Sequence, residues 1–312
     1  MPRTGLLALL LSAAAFAQDA PDLAIKVDVS LVNVAFIVRD RAGALDRSLT
    51  KDDIEVFEDG VRQDVKFFGR SGDMPLRLAL VADMSSSQRK FMKDHHRDID
   101  RFLTTAMKPA DKAMLVCFGN RLRMVSDFTT SVDTVMDSLD DFQRGNLRYP
   151  ELDDDDSRTE GTALFDAVYH TTGKKLAGIA GERKALILFS DGEDNSSAHD
   201  LMDAIEQAQA VDSVLYTVRY TAGKGDRLRA RARYGIREMD RLAKETGGQA
   251  FDASSGGVAK ALTAVAEELR SMYDVGYMST NPNRDGRFRN VVIRVKKDGA
   301  TVRSKPGYFA RQ

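Results

Sequence analysis

Three short stretches of this chain carry oxygen donors in an order that suits a hard divalent cation. The first is Asp83-Met84-Ser85-Ser86-Ser87, which follows the apolar run LRLALVA. The second is Glu160-Gly161-Thr162-Ala163-Leu164, placing a threonine where a helix is expected to begin. The third is Ser190-Asp191-Gly192-Glu193-Asp194, which ends the apolar run KALILF. Asp83, Ser85, Ser87, Thr162 and Asp191 together offer three hydroxyls and two carboxylates. That donor set suits Mg²⁺, which takes six oxygen ligands at about 2.0–2.1 Å. Mn²⁺ is the alternative ion. The sequence shows no grouping of histidine and cysteine of the kind a zinc site uses.

Taken alone, DxSxS reads equally as a turn and helix cap, with the serines satisfying helix-end amides. Position strengthens the metal reading. Two of the three stretches end apolar strands, and open α/β sheets bind ligands beyond the carboxyl ends of their strands. Those strands belong to an alternating series. LRLALVAD, AMLVCFG, KALILFSD and SVLYTVRY are apolar strands; helices are expected at about 87–107, 132–142, 198–210, 236–245 and 258–272. Continuous apolar strands alternating with amphipathic helices predict an α/β, doubly wound, mostly parallel sheet covered on both faces.

The flanks read differently. Residues 23–68 and 273–312 favour strands with alternating polarity and turn signals such as Glu58-Asp59-Gly60. The change of phase after Leu31 marks a bulge or a strand break. Each flank offers about three strands, too few for a stable β-domain alone. The expected arrangement is one β-sandwich formed by the N- and C-terminal strands, with the α/β domain inserted between them. The expected boundaries are a leader at 1–17, an N-terminal β region at 18–73, the α/β domain at 74–272 and a C-terminal β region at 273–312.

At the amino end, Arg3, the apolar stretch Leu6–Ala15 and the small-x-small site Ala15-Phe16-Ala17 predict a Sec-type signal peptide. No later stretch reaches the roughly 20 apolar residues of a transmembrane helix, so the mature chain is expected to be soluble and exported, periplasmic or secreted. Forty-six basic against 47 acidic residues leave a net charge of −1, which gives no bulk attraction to nucleic acid or membrane. The single cysteine, Cys117, reads as a small buried hydrophobe. Arginine-rich 224–241 reads as a solvated insert, the acidic run 153–156 as a solvated loop, and His95 and His96 as surface residues of the first helix. His170 and His199 stand alone in the sequence, and Tyr273, Tyr277 and Tyr308 read as packing residues.

Strand-DxSxS, a later G-T-A-L and a strand ending in S-D-G-x-D together resemble the metal-ion-dependent adhesion site (MIDAS) of von Willebrand factor type A (vWA) domains. The resemblance spans about 75–272; Glu160 stands where the family often has a second glycine. It implies that Ser85 and Ser87 coordinate the metal directly and that Thr162 does so directly or through water. Asp83 and Asp191 would mostly hold coordinating waters. It also implies a non-enzymatic role, in which the metal bridges to an Asp or Glu of a partner protein. In some vWA relatives, displacement of the last helix is coupled to metal affinity. The flanks resemble the exported vWA-related proteins of the acidobacterial type. A metal-dependent hydrolase or phosphatase is the rival expectation, but the chain has no GxSxG elbow, no HExxH and no glycine-rich phosphate loop. A third expectation is an envelope structural protein with a purely structural metal.

Overall fold

A computed structural model describes residues 31–311 apart from 71, 73, 147, 154–159, 222–229 and 254–256. The expected leader, the strand residues before Leu31, most of the acidic run and the start of the arginine-rich stretch lie outside the described residues.

The central sheet has six strands in the order β10-β9-β8-β5-β6-β7. These are β5 (Leu76–Asp83), β6 (Lys112–Phe118), β7 (Leu122–Thr129), β8 (Arg183–Ser190), β9 (Val214–Arg219) and β10 (Ala250–Asp252). All neighbours are parallel except the β6–β7 pair. The continuous apolar character of the inner strands has a direct cause: each feeds two cores. Leu76, Leu78 and Leu80 of β5 and Ile187 and Phe189 of β8 face one core with α1 (Met92–Ala106), α2 (Val132–Gln143) and α6 (Val258–Leu269). Ala79, Val81, Leu186 and Leu188 face the other, with α3 (Leu164–His170), α4 (Leu201–Ala210) and α5 (Ala230–Glu245). At about 1.5–3 kcal/mol for each fully buried large aliphatic side chain, both faces contribute to holding these strands in the middle of the sheet. Cys117 lies in the first core, where burial pushes its thiol up.

The terminal strands form two antiparallel sheets. One has the order β13-β1-β11-β4 and the other β14-β12-β2-β3. They comprise β1 (Leu31–Arg39), β2 (Ile54–Glu58), β3 (Val61–Gln63), β4 (Val65–Arg70), β11 (Tyr273–Met278), β12 (Phe288–Val295), β13 (Thr301–Ser304) and β14 (Gly307–Phe309). Each sheet mixes strands from both ends of the chain. Val34, Phe36 and Val275 of one sheet and Ile54, Val56, Val291 and Ile293 of the other share a single core, which makes the pair the expected sandwich. The β2–β3 hairpin turns at Asp59 and Gly60, both at positive φ, and β4 then crosses to the opposite sheet.

From Leu31 onward the first strand shows no bulge or break; the residues before it, which carry the other phase of the alternation, lie outside the described residues. Strand β1 pairs in unbroken register with β11 and β13. Phe36 and Val38 face the sandwich core while Ile37, between them, joins the core of the α/β layer. A strand covered on both faces loses its alternation. In the arginine-rich stretch the helix expected at 236–245 begins earlier, at Ala230, and Arg231, Arg233, Arg237 and Arg241 are exposed, as the solvated reading expects. That helix is α5, and Ala232, Gly235, Met239 and Leu242 form its buried stripe.

Candidate metal centre

The chain turns one way from β5 to β6 and the other way from β8 to β9, so the strand order reverses between β5 and β8. A crevice opens at such a point beyond the carboxyl ends of the strands, and the last residues of these two strands are Asp83 and Ser190. Asp83 is fully buried. One carboxylate oxygen accepts the Ser85 N–H at 2.9 Å, shaping the turn; the other accepts the Ser190 hydroxyl at 2.6 Å, joining the two strand ends. Met84 donates its N–H to Phe118 O at 2.7 Å, tying the same loop to the end of β6.

Ser85 keeps an extended backbone and precedes a 3₁₀ turn, Ser86–Phe91, which leads into α1. The helical stretch expected from Ser87 therefore starts as 3₁₀ and becomes α only at Met92. This tight turn brings the hydroxyl oxygens of Ser85 and Ser87 to 3.1 Å of each other. Ser87 also donates to Asp191 Oδ2 at 2.7 Å. Gln88, fully buried, donates to the same Asp191 oxygen at 2.7 Å. Its role had no signal in the sequence, since glutamine after DxSxS reads simply as a helix residue. Gly192 follows at φ +82°, and a Cβ there would lie 2.3 Å from Gly235 O of α5, so this loop requires glycine.

Thr162 is buried, and its backbone is stitched to the Asp191 loop. Its N–H donates to Asn195 Oδ1 at 2.7 Å, and its carbonyl accepts the Asn195 N–H at 3.1 Å. The next residue, Ala163, donates to Gly119 O at 2.9 Å, and Gly119 lies beside the backbone of Ser85. Asp194, the last residue of the S-D-G-x-D stretch, accepts from Leu164 N at 2.8 Å and so caps α3 from another loop. Asp83, Ser85, Ser87 and Asp191 are thus joined directly, and Thr162 is joined through its loop.

The donor set fits a small hard cation. Adjacent ligands on an octahedral ion with bonds of about 2.0–2.1 Å lie about 2.9 Å apart, close to the 3.1 Å between the two serine oxygens. The electrostatics point the same way. Burial, with the like charge of Asp191 adding to it, pushes Asp83 up to about 7 against the opposing hydrogen bonds from Ser190 and Ser85. A divalent cation would reverse that penalty.

Outside this centre, two histidine expectations are corrected. His95 is fully buried, its ring 4.3 Å from that of Tyr220, and neither nitrogen has a hydrogen-bond partner among the described residues. Its face of α1 packs on the sheet, while His96 remains partly exposed beside Asp140 at 3.0 Å. His170 and His199, 29 residues apart in the chain, have ring centres 5.3 Å apart and share a cluster with the buried Asp166. The grouping that sequence spacing did not reveal is therefore present in three dimensions. Asp153 is buried rather than solvated. The tyrosines are packing residues with anchored hydroxyls: Tyr277 and Tyr308 donate to Glu58 at 2.8 and 2.9 Å, and Tyr273 accepts Leu49 N–H at 3.0 Å.

No protein-family model matches the chain, and no curated protein matches it. Solved structures do. Proximal thread matrix protein 1 from the mussel byssus, whose structure has a zinc-occupied MIDAS motif, superposes with a TM-score of 0.50 at 13% identity, over 69% of this chain and 50% of that one. The fold is vWA-like. This chain spans about half the length of the mussel protein. An aerotolerance-related membrane protein from Bacteroides fragilis is 16% identical over 62% of this chain and 98% of its own, with a TM-score of 0.47. BatB from Bacteroides thetaiotaomicron is 17% identical over 62% of this chain and 97% of its own, with a TM-score of 0.45. Among the described residues, no helix of the vWA-like protein is long and apolar enough to cross a membrane.

Proposed function

We propose that this is an exported protein-binding module. In it, Asp83, Ser85, Ser87, Thr162 and Asp191 hold Mg²⁺, with Mn²⁺ as the alternative, and the site receives an Asp or Glu side chain of a partner protein. The observation that carries the reading is the Ser87 hydroxyl, 3.1 Å from that of Ser85 and bonded to Asp191 at 2.7 Å, on a loop whose Ser85 N–H is held by the buried Asp83. When bound, the ion supplies a positive centre with a coordination position open to a carboxylate. The protein's part is to keep that charge high. Ser85 and Ser87 are neutral donors, and the two carboxylates are held back by other bonds. Asp83 is engaged by Ser85 N–H and Ser190, Asp191 by Ser87 and Gln88. The same engagement argues for binding over hydrolysis, because neither carboxylate is placed as a free general base.

Export rests on the leader-like residues 1–17, and assignment to the acidobacterial type of vWA-related proteins rests on the flanking strands; both belong to this proposal. The test is a pull-down from a native cell-envelope fraction with Mg²⁺, with EDTA, and with a folded Asp191→Ala variant. Recovery of a partner by the wild type in Mg²⁺ alone is expected. A partner retained under all three conditions would move the binding surface away from the site. Turnover of a phosphoester that is abolished by Asp83→Ala would replace binding by catalysis.

A further inference from the structure

A second group of side chains of metal-ligand type, Asp166, His170 and His199, lies on helix α3, which follows the Thr162 loop, and on the loop that follows Asp191. Asp166 and His170 stand one turn apart on α3, so they share a face of the helix. His199 lies in the loop before α4 and reaches back across them. Asp166 is fully buried and acts first as an organiser. Its carboxylate accepts the backbone N–H groups of Ala198 at 2.8 Å and His199 at 3.0 Å, and its Oδ1 lies 2.6 Å from His199 Nδ1. Tyr169 stacks on the His199 ring, centre to centre at 3.7 Å with the planes 17° apart. The imidazole is therefore fixed in both plane and direction. With Nδ1 bound to a carboxylate, Nε2 is the nitrogen left to bind something else.

This is the arrangement by which a metal-binding histidine is oriented: one ring nitrogen on a carboxylate, the other on the ion. The second imidazole is at the right separation. Two rings bound to one tetrahedral zinc at about 2.0–2.1 Å place their centres about 5 Å apart, and those of His170 and His199 are 5.3 Å apart. Asp166 Oδ1 and His199 Nδ1 are too close for both to ligate one ion. Ligands on a tetrahedral zinc are about 3.3 Å apart, whereas Asp166 Oδ1 and His199 Nδ1 are at hydrogen-bonding distance, 2.6 Å.

We propose that His170 and His199 form a site for a borderline divalent transition metal of the zinc class, with Asp166 as the positioning carboxylate behind His199 and water completing the coordination. Imidazole nitrogen is the donor such ions prefer and Mg²⁺ does not, so the chain carries two sites of different hardness. A metal here would fasten the end of α3 to the loop that carries Asp191 and Asn195.

The test is titration of the purified full chain with Zn²⁺, in a millimolar excess of Mg²⁺, by isothermal titration calorimetry. Wild type and Ser87→Ala are expected to take up a single equivalent. His170→Gln and His199→Gln are expected to weaken uptake at least ten-fold, and Asp166→Asn about 10–100-fold. Uptake unchanged by both histidine variants, uptake lost in Ser87→Ala, or no uptake by the wild type would each overturn the proposal. Ser87→Ala keeps the outcome separate from that of the hydroxyl site. Should a variant fail to fold, nitrogen resonances of the wild-type imidazoles give the same answer. Zn²⁺ should shift those of His170 and His199 and leave buried His95 unchanged; unshifted His170 and His199 would overturn the assignment.

Discussion

The Ser87 hydroxyl lies 3.1 Å from Ser85 Oγ and donates to Asp191 at 2.7 Å, so one oxygen atom joins the β5 loop to the β8 loop. These residues were legible in the sequence because the oxygen donors stand at the ends of apolar strands, in stretches whose order and combination are more specific than any one of them. Gln88 was not, because a glutamine near a helix start has many ordinary readings. His95 was misread for a related reason. Adjacent histidines on a helix point in different directions, and the sequence does not say which direction is inward. Its burial makes a pH prediction. Burial lowers the folded-state value from 6.5 to about 4, against the raising charges of Asp98 and Asp94. Between those values the unfolded chain binds more protons than the folded one. Stability is therefore complete above about pH 6.5 and falls as pH drops toward 4, by about 3 kcal/mol in all. Urea unfolding across this range should show the loss in the wild type, and His95→Leu should remove that component. An equal slope in both proteins would mean that other groups cause it.

At the scale of elements, the parallel strands were legible because burial on both faces leaves an uninterrupted apolar run. The helix at 236–245 was legible, but its first turns from Ala230 were not, because exposed arginines there obscure the stripe Ala232, Gly235, Met239 and Leu242. The contact of α5 with the site loop is tight. Gly192→Ala would set a Cβ against Gly235 O in a left-handed backbone. It should cost roughly 2 kcal/mol or more and weaken metal binding together with stability, as thermal melts and metal titration of the variant would show. Helix α6 is clamped at its end. Glu268, buried, accepts from Arg39 of β1 at 2.7 Å, from Tyr216 of β9 at 3.0 Å and from Arg303 of β13. Arg270, just beyond the helix, pairs with Asp111. This clamp joins the sandwich to the α/β layer and opposes any displacement of α6. Glu268→Ala leaves two arginines without their shared carboxylate and should cost roughly 3 kcal/mol in urea unfolding.

At the scale of the molecule, the chain leaves from and returns to one sandwich, and the inserted α/β layer presents its site at the far ends of β5 and β8. The sandwich was legible only as an argument about strand number, since neither flank has enough strands alone; which strands pair is set by contacts more than 200 residues apart, such as Leu31 with Met278. A ligand that binds only the folded state stabilises it by about 2.7 kcal/mol at a hundred times its dissociation constant. Mg²⁺ should therefore raise the melting temperature and EDTA should reverse the rise. The most direct test of the metal centre is Mn²⁺ binding, followed by loss of the free-ion electron paramagnetic resonance signal, in the wild type and in a folded Ser85→Ala/Ser87→Ala double variant. The account predicts that the wild type takes up Mn²⁺, that Mg²⁺ displaces it, and that the double variant binds at least ten-fold more weakly. Equal binding by the two proteins would contradict it.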